Sequence, residues 1–321
     1  MPDPDALRRF RLLVDGAILS TFLLVVVGGV VRVADAGLGC GPARSGLHGW
    51  PLCRGNLLPA TQVHTILEYS HRFLAALVVI LLMAILWQAL RRLRDQRTLV
   101  RGAVAALGLV VVQALLGALT VEQGLDTALV AAHLGVAMLL LAVLVGLSIA
   151  SRSHRPTLSG PRRLRAVAAL ACLLLLATIV AGGVVAGTEE HGIAGGVRPD
   201  GAHMACGSEF PTCNGAFLPF GDGEMVDIQL AHRTAMFLTV AALTALALLL
   251  RRRRQQALAL AIFLVLAAQV WLGAMNVWLG ESAALVVAHL ALGTLLWLLA
   301  VAALLSTARV PQRAEARCRD V

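Results

Sequence analysis

Glu68, His71 and Arg72 stand together inside the apolar run ILEYSHRFL (66–74). On a helix, Glu68 and His71 share one face, three residues apart. Three further histidines, His133, His232 and His289, fall inside apolar runs of their own. Ionisable groups in lipid are costly, so they mark function. A single histidine in such a run serves as readily to bond one helix to another, but four at matching positions point to a metal. Zinc prefers a compact tetrahedron with cysteine or carboxylate help. A di-iron centre needs two Glu-x-x-His motifs and two further carboxylates, and Gln229 stands before His232 where Glu68 stands before His71. Pairs of axial imidazoles facing each other across an apolar slot suit heme.

The elements that must hold these side chains are membrane helices. The 321 residues are 59% hydrophobic and their mean hydropathy is +0.82, against about 45–50% apolar residues in soluble domains. Runs near twenty apolar residues recur throughout. They predict eight spans: 14–34, 64–90, 101–121, 129–150, 164–186, 227–250, 257–278 and 282–305. All 27 basic residues are arginine, and they cluster between spans: Arg8 to Arg11, Arg91 to Arg101, Arg152 to Arg165, Arg251 to Arg254, and Arg309 to Arg319. With eight spans every cluster falls on one side, which places both termini in the cytoplasm and the long cysteine loops on the outer face of the cell membrane. The net charge of +9 thus belongs to membrane topology. A nucleic-acid binder would instead expose a continuous basic face. Ala34-Asp35-Ala36 resembles a signal cleavage site, but the run before it is longer than a signal core and contains Arg32.

The first span is also required by an internal duplication. VVVGGVVRV (25–33) matches TIVAGGVVAG (178–187), GWPLC (49–53) matches EFPTC (209–213), and YSHR (69–72) matches LAHR (230–233). QALLGALTV (113–121) matches QVWLGAMNV (269–277), and LVAAHLG (129–135) matches LVVAHLA (285–291). Gln113 to His133 and Gln269 to His289 both span 20 residues. The expected fold is therefore all-α, with eight transmembrane helices arranged as two tandem four-helix bundles related by pseudo-two-fold symmetry. Even span counts insert both repeats the same way up. The units are 1–150, a linker 151–163, 164–305, and a tail 306–321.

The histidines lie on spans two, four, six and eight, within about 10 Å of the helix starts at 1.5 Å per residue. All four thus share one depth in the outer leaflet, two per repeat. Gly117, Gly135, Gly273 and Gly293 would let a flat macrocycle approach the backbone, or would simply permit close helix packing. Arg72 and Arg233 sit where propionates would emerge, or they snorkel to headgroups. Glu68 breaks the equivalence of the repeats. A partly desolvated carboxylate can shuttle protons or stabilise developing positive charge, whereas Gln229 cannot titrate. The first repeat reads as a reaction site and the second as an electron relay.

On Glu68-Tyr-Ser-His71-Arg72, Ala-His133, Ala-His232-Arg233, Ala-His289 and the two Pro-x-Cys loops, nearly the whole chain resembles the heme A synthase family. The resemblance implies an oxidoreductase that acts in cytochrome oxidase assembly. It would oxidise the C8 methyl of heme O to the formyl of heme A, with water as the oxygen source. Heme b would be held by His232 and His289, the substrate heme by His71 and His133, and Glu68 would be catalytic. Expected partners are heme O, the lipid bilayer, heme O synthase, and an electron acceptor of the quinone or thiol class. The competing function is a di-heme b-type electron-transfer protein that links outer thiols to quinone.

Among the six cysteines, Cys172 and Cys318 read as bystanders. The repeat pairs Cys40 with Cys53 and Cys206 with Cys213 in the oxidising outer loops. These bonds act either as a redox relay or, the reading favoured here, as staples worth about 2–3 kcal/mol each. His48, His64, His191 and His203 are expected to be exposed or interfacial.

Overall fold

Each apolar run becomes a helix, and caps and turn residues set its ends. The computed structural model describes residues 3–58, 61–152, 162–188, 201–280 and 282–307. The helices are α1 (Pro4–Val33), α2 (Val63–Arg92), α3 (Arg97–Glu122), α4 (Thr127–Ala150), α5 (Arg162–Gly187), α6 (Glu224–Arg252), α7 (Gln256–Trp278) and α8 (Ala283–Ser306). All eight are long and apolar enough to cross a membrane. Asp126 shows how a boundary is set: its Oδ1 accepts from the backbone N–H groups of Ala128 and Leu129 at 3.0 and 3.1 Å, satisfying donors that have no partner within the helix. Most expected ends fall within a few residues of these. The exception is α1, which begins ten residues early. Pro4 occupies its first turn and Asp3 caps it, so Arg8, Arg9 and Arg11 ride on helix. The linker residues 153–161, His191, and the tail beyond Thr307 with Cys318 lie outside the described residues.

Within the first half α1 packs on α2, α2 on α3, α3 on α4, and α4 back on α1. The second half repeats the circuit with α5, α6, α7 and α8. Helices α1, α4, α5 and α8 join the halves through α4–α5, α1–α8 and α4–α8 contacts. The buried Trp297 Nε1–H of α8 donates to Met138 O of α4 at 2.8 Å. Arg32 Nη2 and Thr127 Oγ1 donate to Ala186 O and Gly187 O, at 2.9 and 2.8 Å. They supply donors from two other helices to carbonyls at the end of α5 that have no N–H partner within the helix.

The long loops lie at one end of the bundle, and the core at the other. In the first half Phe10, Val14, Leu82, Ile85, Leu99 and Leu144 pack together away from the loops. Leu164, Leu243, Leu246, Ile262, Trp297 and Ala300 do the same in the second half. Toward the loops the buried residues include the polar Thr65, Glu68, His203, Gln229, Arg233 and Asn276, beside a small apolar cluster of Cys206, Cys213, Val226 and Leu230. The larger apolar cores hold the bundle at one end, and the buried ionisable groups gather at the other.

Candidate functional site

His71, His133, His232 and His289 lie eight, six, eight and six residues past the first residues of α2, α4, α6 and α8. At 1.5 Å per residue they sit about 9–12 Å from those helix starts. Each imidazole is pressed against a glycine of the preceding helix. A Cβ on Gly28 of α1 would lie 3.1 Å from His71 Cε1, and one on Gly117 of α3 would lie 3.4 Å from His133 Cε1. Gly182 of α5 and Gly273 of α7 would each bring a Cβ to 3.0 Å, from His232 and His289. Ordinary carbon contacts are about 3.5–4.0 Å, so the missing side chain lets His71, His232 and His289 lie this near the backbone, whereas a Cβ at Gly117 would only touch His133. Of the glycines expected to admit a macrocycle, Gly117 and Gly273 instead seat imidazoles. Gly135 faces Val180 across the half interface, and Gly293 faces Gln269.

The seat also orients the ring. His232 Nδ1–H donates to Thr178 O, one turn before Gly182, at 3.0 Å. The carbonyls of Leu24 and Gln269 approach His71 and His289 in the same relation. Nδ1 of His71, His133 and His289 is buried and lacks full hydrogen-bond geometry, yet each of these residues is partly exposed. The open edge is therefore the one carrying Nε2. A proton held on Nδ1 leaves the Nε2 lone pair for a metal. Gln269 Nε2 lies 3.2 Å from His289 Nε2, as a donor to that lone pair would. His71 and His133 are electrostatic neighbours, as are His232 and His289.

Among the described residues no three of His, Cys, Asp and Glu converge as a metal cluster would require. The donor set is one of imidazole pairs, the axial pattern of heme. Buried Oε1 atoms of Gln113, Gln229 and Gln269 have no protein partner, and such orphans in a native interior call for a ligand or water. The residues fit a bound heme in each half.

Glu68 is 5% exposed. Its Oε2 accepts from Cys40 N–H at 2.7 Å, and its Oε1 forms an ion pair with Arg72. Arg72 Nη1 also donates to Leu52 O at 2.9 Å. In the second half Arg233 Nη1 and Nη2 donate to Thr212 O and Glu209 O at 2.7 and 2.9 Å. Both arginines thus reach to the loops: a guanidinium this far from water needs acceptors, and the loop carbonyls supply them. Disulfides join Cys40 to Cys53 and Cys206 to Cys213, while Cys172 is a buried free thiol. His48 and His64 are exposed. His203 corrects the expectation for loop histidines. It is 9% exposed, its Nε2 lies 3.4 Å from Asn276 O, and it is an electrostatic neighbour of His232 and His289.

Fold and site together define a polytopic helical membrane protein with two histidine pairs at one end and, among the described residues, one buried acid beside the first. The chain matches the family model described as COX15-CtaA, cytochrome oxidase assembly protein, over residues 11–301, and it belongs to that family. Among its relatives is the heme A synthase of Halalkalibacterium halodurans, 30% identical over 68% of this chain and 70% of that protein. The heme A synthase of Shouchella clausii is 31% identical over 68% of this chain and 69% of its own length. That of Symbiobacterium thermophilum is 33% identical over 79% and 80%.

Proposed function

We propose that this protein is a heme A synthase, with the substrate heme O between His71 and His133 and a resident heme b between His232 and His289. The family and the named relatives support synthesis over the di-heme electron-transfer alternative. The observation that carries the assignment of roles is the contrast between Glu68 and Gln229. Both are buried one turn from a seated histidine, and only the first can exchange a proton.

Converting the C8 methyl to a formyl removes four electrons and four protons and takes one oxygen from water. The heme b, when bound, supplies one-electron transfer. His232 and His289 hold it, with Gly182 and Gly273 fixing their rings. His71 and His133 orient the substrate so that its edge meets Glu68. Glu68 receives protons leaving the methyl carbon or the attacking water, or stabilises positive charge that develops beside it. Arg72 holds the carboxylate in place. The electrons pass to an acceptor of the quinone or disulfide class.

The loops are assigned to the outer face and both termini to the cytoplasm. Arg8, Arg9, Arg11, Arg91, Arg92, Arg162, Arg163, Arg251 and Arg252 all occupy helix ends remote from the disulfides, in keeping with the positive-inside pattern. The two four-helix circuits are accordingly read as separate functional halves, 1–150 and 164–305.

Glu68→Gln tests the assignment. Co-expressed with a heme O source, the variant should keep its bound pigment and make no heme A. Full product yield would remove Glu68 from the mechanism.

A further inference from the structure

Glu68 is suspended from both arms of one covalent ring. One arm is direct, from Cys40 N–H to Oε2 at 2.7 Å. The other runs from Oε1 through Arg72 to Leu52 O, at 2.9 Å for the last step. Cys40 and Cys53 are bonded through sulfur, so both backbone anchors belong to the strap that this bond closes. The strap lies flat on the first turn of α2. Thr65 Oγ1 and Arg54 Nε donate to Gly39 O at 2.9 and 3.1 Å, and Arg54 N–H donates to Cys40 O at 2.7 Å. A Cβ on Gly39 would fall 2.5 Å from His64 O, so no other residue lets the strap approach so closely. The second half has a disulfide and an arginine in the same places, but the suspended group is missing. Arg233 spends its donors on Thr212 and Glu209, and Gln229 Oε1 has no partner.

We propose that Arg72 and the Cys40–Cys53 strap are positioning elements for Glu68: the disulfide fixes the two backbone groups that aim its carboxylate, and opening it disables turnover without releasing heme. This rests on the reading of Glu68 as the working acid. The Cys206–Cys213 bond has no such role, because the position equivalent to Glu68 is Gln229 and no carboxylate one turn before a seated histidine is held by that strap.

The test uses the purified holoprotein with Cys40→Ser and Cys53→Ser combined. The expected result is a fall in kcat of about 100-fold, the scale of misplacing a reacting group by an ångström, with KM for heme O and the bound-heme spectrum unchanged. Loss of heme with unchanged turnover per heme overturns the proposal. Full activity of Glu68→Gln alone would instead overturn the reading of the acid. An infrared readout separates the two independently of activity. Subtracting the spectrum of the serine variant from that of the native protein should leave a carboxyl band that disappears in Glu68→Gln. Arg72→Lys keeps the charge and cuts the Leu52 arm, so it answers the same question should the serine pair fail to fold. It should lower kcat alone and shift the same band; unchanged kcat and an unshifted band would overturn the proposal.

Discussion

Replacing Gly182 by alanine should loosen the second-half heme while leaving the bundle intact. The new Cβ would stand 3.0 Å from Cε1 and 3.4 Å from Nδ1 of His232. Carbon pairs settle at about 3.5–4.0 Å, so the ring must retreat by roughly 0.5–1 Å. That retreat also strains the 3.0 Å bond from Nδ1 to Thr178 O, which holds the proton away from Nε2. Overpacking of this kind costs about 1–3 kcal/mol, or about 5–150-fold in heme retention at 1.4 kcal/mol per decade. The helix itself gains about 1 kcal/mol, since alanine is the better helix former. Without heme the His232 ring is free to swing clear of the new methyl, so thermal stability measured without heme should change by about 1 kcal/mol or less while heme affinity falls, a combination that general damage does not produce. The assay is the heme-to-protein ratio by visible absorbance, with the rate of heme loss to an apoglobin acceptor. Distances set the order across the four seats: Gly182 and Gly273 at 3.0 Å most sensitive, Gly28 at 3.1 Å next, and Gly117 at 3.4 Å least. A Gly182→Ala protein that releases heme at the native rate would refute the reasoning, and so would a Gly117→Ala protein damaged as badly.

Other substitutions sort the two sites and the loops. His232→Ala or His289→Ala should deplete the resident heme b in the extracted pigment, while His71→Ala or His133→Ala should weaken heme O uptake with heme b retained. Depletion of one and the same heme by all four changes would rule out pairing within each half. Arg233→Met should lower thermal stability in detergent by about 1–3 kcal/mol, because the part-buried carbonyls of Thr212 and Glu209 lose their donors; an unchanged unfolding temperature would show that water replaces them.

Much of this architecture was legible because lipid forces it into the sequence. A span must be apolar for about twenty residues, so seven of eight helices were placed within a few residues. The start of α1 was not, because Arg8, Arg9 and Arg11 dilute its hydropathy while leaving its helix propensity intact. The four histidines and Glu68 stood out because charge in an apolar run is rare. The glycine seats did not, although their signal was present: Gly28 and Gly182 occupy equivalent places in VVVGGVVRV and TIVAGGVVAG. Which of many glycines meets a ring depends on the rotation of one helix against the next, and hydropathy carries little of that. The burial of His203 and the inward turn of the Arg72 and Arg233 side chains depend on how loops fold back over the bundle. Neither follows from spacing along the chain.

Glu68 and His71 share one rigid rod, with a rise of about 4.5 Å between them. Helix pitch sets the spacing of their backbones, and the loop strap sets only where the carboxylate at the end of the Glu68 side chain points. A flat ring held by two nitrogens can still turn about the line joining them. On the function proposed above, which of its peripheral substituents meets the acid is then a matter of that turn. Regiochemistry is thereby delegated to the walls of the slot. Reshaping those walls would redirect oxidation to a different substituent, with the acid and both imidazoles untouched.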